Sequence, residues 1–94
     1  MSAIVSFSIR VKPSVNLSHL TGSGGQRFAE EQRLLQMANK ANEPLFNNGL
    51  GSCFLGEDET KARREAESAL EEYMADCQDE IHKFEIFREE TEVE

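Results

Sequence analysis

Residues 3–11 alternate along the chain, with Ala3, Val5, Phe7, Ile9 and Val11 on one side and Ile4, Ser6, Ser8 and Arg10 on the other. A period of two predicts a β-strand with one buried face. Pro13 cannot donate to a ladder, so regular pairing is expected to end near Lys12. Beyond it, Val15, Leu17 and Leu20 suit a further extended segment.

After a Gly-rich connector, Thr21 to Gly25, the period changes. Phe28, Leu34, Leu35, Met37, Ala38 and Ala41 recur at helical spacing, and Ser23 stands three residues before Gln26, as in a capping box. A medium helix from about Gly25 to Ala41 follows, with Pro44 setting its end because proline disfavours the helical conformation at Glu43. Residues 42–56 are rich in Asn and Gly yet carry Leu45, Phe46, Leu50, Phe54 and Leu55. Such a loop is expected to pack down, with Ser52 to Leu55 as a short second strand.

A third pattern begins at Asp58. Ala62, Ala66, Leu70, Tyr73, Cys77, Ile81 and Phe84 form one stripe at close to helical spacing, which predicts a long acidic helix from Asp58 to His82. Glu57, Asp58 and Glu59 suit its positive end, and Glu57 with Lys61, Glu59 with Arg63, and Asp79 with Lys83 have i,i+4 spacing. Past His82 the residues fit either a continued helix or a closing strand over 83–87, and 89–94 reads as a frayed acidic tail after a single domain at 1–88. The fold class is α+β: an N-terminal strand, a medium helix and a long acidic C-terminal helix. The strand needs neighbours, which a short second strand, a C-terminal strand or a second subunit could supply, so a homodimer is expected.

Length and charge narrow the functional classes. The chain has 94 residues, enough for one domain, and its 38% hydrophobic content supports only a modest core. Net charge is −8, divided into +2 over residues 1–50 and −10 over residues 51–94. That field repels phosphate backbones and anionic lipid, so direct nucleic-acid and membrane binding are disfavoured and a basic protein surface is the expected partner. The first ten residues lack a basic leader and an apolar run, which reads as cytoplasmic, with Cys53 and Cys77 as reduced thiols.

Candidate chemistry is sparse. On one helix, Cys77 and His82 would point well apart, so they cannot share an ion; Cys77 reads as a core thiol and His82 as a surface residue near Asp79. Asp79 and His82 have the carboxylate-x-x-His spacing of bundle metal sites, but one such pair is half a site. Ser23, Gly24, Gly25 and Arg27 could hold an anion at a helix start, although no Gly-Lys-Ser/Thr follows and a flexible, capped connector explains them. No Ser, Cys or carboxylate lies in a nucleophile or acid/base motif, so no catalytic residue and no cofactor are assigned.

The remaining signal is the acidic face: Glu65, Glu72, Asp76, Asp79 and Glu80. A solvated helix face explains such residues by itself; as a binding surface they would meet a basic partner. The expected function is a non-catalytic protein-interaction module that binds and modulates a protein partner. The alternatives are a nucleic-acid mimic that blocks a DNA- or RNA-binding protein, in the manner of small inhibitors encoded by mobile elements, and a small anion- or metal-binding domain.

Overall fold

The computed structural model describes residues 2–13 and 24–93. Strand β1 (Ser2–Val11) forms as its alternation predicts, and helix α1 (Gly24–Asn47), strand β2 (Ser52–Phe54), helix α2 (Thr60–Tyr73), a 3₁₀ helix (Gln78–Lys83) and strand β3 (Phe84–Val93) follow. The chain is α+β, with a three-stranded antiparallel sheet in the order β2-β1-β3. Of the neighbours the chain offers, those at 52–55 and 83–87 pair with β1, and residues 15–20 lie outside the described residues. Residues 4–6 pair with β2 in a register such as Val5 opposite Cys53, while β1 pairs along its whole length with β3, Ser2 opposite Val93 and Val11 opposite Phe84.

The two helices pack on each other and on one face of the sheet. Val5, Phe7 and Ile9 supply that face and Phe84 extends it from β3, as the period of two requires. Against them lie Leu34, Ala38, Ala41 and Leu45 of α1, Ala62, Ala66, Ala69 and Leu70 of α2, and Met74 beyond it. The contact between the helices is built largely from alanines. Small side chains let the two backbones come close, so a chain with few large residues still fills its core.

Helix α1 passes Pro44 and ends at Asn47, beyond the stop expected near Ala41. Two buried anchors hold the added turn, Asn42 and Leu45. The end itself is a Schellman motif on Gly49, whose φ of 64° is costly for any residue with a Cβ. Leu50 N–H donates to the Leu45 carbonyl at 2.9 Å and Gly49 N–H to that of Phe46 at 3.4 Å. The Asn48-Gly49-Leu50 sequence carries this stop, and it outweighs the proline.

The long acidic helix is corrected. Helix α2 has 14 residues and closes at Tyr73, followed by a turn, the 3₁₀ helix and β3. Its last turn holds no basic side chain, and continuing it would place Glu72, Asp76 and Glu80 in successive like-charged i,i+4 pairs at the negative end of the dipole. Meanwhile Phe84 and Ile86 fit β1 better than a helix stripe, because they extend the apolar face opposite Val11 and Ile9. Met74, fully buried, takes the place expected of Cys77, which is exposed. The frayed tail is corrected as well: residues 89–93 are solvated on their side chains but lie in register with β1 as the second half of β3.

Asn42 completes the sheet where β2 runs out. Residues at alternate positions of β1 address that edge: Ala3 carbonyl accepts from Leu55 N–H at 3.0 Å and Phe7 N–H donates to Gly51 carbonyl at 2.7 Å. The next position, Ile9, has no strand beside it on that edge among the described residues. Instead Asn42 Oδ1 accepts its N–H at 2.8 Å and Asn42 Nδ2 donates to its carbonyl at 2.8 Å, so one side-chain amide stands in for a strand residue. Asn42→Leu therefore orphans two buried backbone groups and should cost about 2–4 kcal/mol in chemical denaturation. A loss within about 0.5 kcal/mol of zero would mean that water or another group serves Ile9 equally well.

Candidate functional site: an acidic surface

Sorting the charged side chains by whether they are satisfied internally separates structural ions from available ones. Arg88 lies on the helix side of β3 and donates through Nη2 and Nε to Glu59, at 2.8 and 2.9 Å, with Glu90 a further 2.8 Å neighbour. Glu59 thus serves the sheet and not Arg63, the partner its spacing suggested; Arg63 pairs with Glu67 at 3.1 Å. On the open face of the sheet Arg10 approaches Glu85 at 3.4 Å and covers the Phe87 ring at 4.1 Å.

The five residues expected to meet a partner divide in the same way. Glu80 is a structural ion: Lys83 lies 2.8 Å from it and Arg33 of α1 3.3 Å, and Arg33 also binds Glu30. This network ties the 3₁₀ helix to α1. Glu65 accepts Gly51 N–H at 3.1 Å and so supports the turn into β2. Gly51 sits tightly there, with φ 78° and Phe7 carbonyl only 3.0 Å from where a Cβ would stand. Glu72, Asp76 and Asp79 are exposed and make no ion pair among the described residues. They do not share one helix, since the chain turns at 74–76 between Glu72 and Asp79.

The anion-binding residues fare differently. Ser23 lies outside the described residues, as do His19 and the extended segment at Val15, Leu17 and Leu20. Gly24, Gly25 and Arg27 form the first turn of α1, which puts the Gly-rich run at a helix start. Asp79 and His82 fall in the 3₁₀ helix, and among the described residues no three His, Cys, Asp or Glu side chains gather as a metal cluster. Both cysteines are free thiols, and burial, then Glu59 and Glu57, push the half-buried Cys53 thiol above its ordinary pKa. No helix among the described residues is long and apolar enough to cross a membrane.

Two features escaped the sequence reading. An open groove of about 520 Å³ runs between the end of α1 and α2, lined by Leu45, Leu50, Lys61, Arg64, Glu65 and Glu72 among others. Lys61 and Arg64 are three apart on α2, a spacing visible in the sequence but not separable there from a solvated face. The second is the acidic half of β3, read as tail. Glu89, Glu90 and Glu92 stand on a paired strand, so their positions are fixed.

The ion pairs imply an acid dependence. The hydrogen bond from Lys83, and then the charges of Arg33 and Lys83, hold Glu80 below the usual carboxylate range; Arg88 does the same for Glu59, and Thr60 for Asp58. Depressed carboxylates bind fewer protons folded than unfolded, so their contribution is full above about pH 5 and is lost as pH falls through their folded values. The urea midpoint should be flat from about pH 7 to 5 and fall below about pH 4, and Glu80→Gln should lower it at neutral pH while flattening the acid limb. Parallel acid limbs for the two proteins would remove Glu80 from the account. Compared with known protein families, curated proteins and solved structures, the chain matches none.

Proposed function

We propose that the chain is a non-catalytic protein-interaction module, cytoplasmic, that binds a basic surface of a protein partner and modulates it. One observation carries the reading: Arg10, Arg33, Arg63 and Arg88 are held in ion pairs within the fold, which leaves Lys61 and Arg64 as the cations of residues 51–94 without one among the described residues, against Glu72, Asp76, Asp79, Glu89 and Glu92, which are exposed and equally without one. The negative field over the C-terminal half is therefore not neutralised locally, and it steers basic partners toward that side. The nucleic-acid mimic keeps less support. It drew on a regular row of carboxylates along one helix, and the turn at 74–76 interrupts that row.

A homodimer was expected because β1 needed neighbours. The chain itself now supplies those neighbours, β3 along one side of β1 and β2 with Asn42 along the other as far as Ile9.

Affinity capture from lysate of the native source tests the reading. The wild-type chain should retain a partner with a basic surface, and retention should drop at least about tenfold either at about 0.5 M salt or in the Glu72→Gln, Asp76→Asn, Asp79→Asn triple variant. Capture of nothing, or capture indifferent to both changes, contradicts it.

A further inference from the structure

The two edges of the sheet are treated differently. On the β2 side part of the outward backbone is engaged: Phe54 N–H donates to Glu57 Oε2 at 3.2 Å, Glu57 N–H donates to Phe54 carbonyl at 3.1 Å, and Asn42 covers Ile9, which leaves Ser52 as the outward-facing residue of this three-residue strand. Both devices occupy groups that a foreign strand would need. The other edge is β3, ten residues long, and no strand among the described residues lies beyond it.

Which groups of β3 point outward follows from the register. Lys12 N–H donates to Lys83 carbonyl at 2.8 Å, so the pair 12 and 83 is hydrogen-bonded. Antiparallel ladders alternate, which makes 85, 87, 89, 91 and 93 the residues that bond β1. The N–H and C=O groups of Ile86, Arg88, Glu90 and Glu92 therefore face away from the sheet. Phe84 N–H is excluded, because it caps the 3₁₀ helix on the Ile81 carbonyl.

The side chains along this edge are polarised. Ile86 and Phe87 are half-buried at one end; Glu89, Glu90 and Glu92 are exposed at the other, and Arg88 between them is neutralised by Glu59 and Glu90. Residues 84–93 carry a net charge of −3. Like charges on directly opposed strands destabilise, so the acidic half discourages a second copy of β3 and favours a strand bearing lysine or arginine.

We propose that the outer edge of β3 is a docking site for an extended basic segment of a protein partner, which adds a fourth strand to the sheet. The segment bonds Ile86, Arg88, Glu90 and Glu92 through its backbone. It sets apolar side chains beside Ile86 and Phe87, and lysine or arginine beside Glu89, Glu90 and Glu92, at cross-strand separations of about 5 Å. This rests on the interaction-module reading and moves its contact from the acidic turn around Asp76 to the sheet edge.

The probe is the blocked peptide Lys-Thr-Lys-Lys-Thr-Val-Val-Lys, with a control of the same charge N-methylated at alternate residues. Amide NMR with hydrogen exchange reads the site. The peptide should slow exchange at Ile86, Arg88, Glu90 and Glu92, and the N-methylated control should bind roughly tenfold more weakly or not at all. Glu90→Pro removes an outward N–H and spares the β1 ladder, so it should weaken binding roughly tenfold relative to Glu90→Gln, which removes the same charge. If Glu90→Pro unfolds, the N-methylated control decides by itself.

Equal binding of the two peptides, or shifts confined to Glu72, Asp76 and Asp79, overturns the edge site while leaving the interaction module standing. No binding of the peptide to the wild-type chain also overturns it, and the capture experiment then judges the module separately. Protection of the same four amides that grows with protein concentration, without peptide, names a second copy as the occupant and overturns the basic segment.

Discussion

The backbone of β1 is the constraint on which the rest of the structure depends. A central strand presents hydrogen-bonding groups to both sides, and burying one face leaves no water to satisfy them there. The chain answers on one side with the full length of β3 and on the other with three residues of β2 followed by the Asn42 amide. Helix α1 must pass Pro44 only because Leu45 and the Schellman turn after it deliver the chain to β2. Helix α2 must stop at Tyr73 because the residues after it are needed beside β1.

The alanine-rich helix contact and the ion pairs are secondary to that arrangement, yet they fix its outline. Alanines from both helices let them sit close over Val5, Phe7 and Ile9. Arg88 with Glu59 and Arg33 with Glu80 pin the start of α2 to β3 and the 3₁₀ helix to α1. Exposed pairs of this kind contribute little stability each, so their main effect is on geometry and on which carboxylates remain unpaired. On the last third of the chain the carboxylates left over, among them Glu72, Asp76, Asp79, Glu89 and Glu92, outnumber the one cation without an ion pair among the described residues, Arg64.

Much of this was legible in the residues, and apart from the local Gly49 turn that ends α1 the failures share a cause. The period of two in 3–11 gave β1 and its buried face, and Ser52 to Leu55 and 83–87 were both recognisable as strand candidates. The stripe from Ala62 to Tyr73 was also read correctly; extending it to Phe84 was the error, since apolar residues at 77, 81 and 84 fit a helical step by chance while Phe84 and Ile86 served a sheet. Periodicity reports a local pattern, whereas the end of α2 is decided by β1, some seventy residues earlier in the chain. The acidic end misled for a related reason: a run of glutamates looks solvated whether it is a loose tail or an edge strand. Asn42 gave no signal, because a polar residue on a helix face reveals its purpose only when the strand it serves is in place.

The alternation along β3 links fold and function, because it makes one set of backbone groups structural and leaves the other for a partner. Hydrogen exchange of the free protein measures it directly. The account requires slow amide exchange at Glu85, Phe87 and Glu89, which bond β1, and fast exchange at Ile86, Arg88 and Glu90, which face outward. Uniformly slow exchange through these residues would mean that the edge is already covered, and uniformly fast exchange that β3 is not part of the sheet.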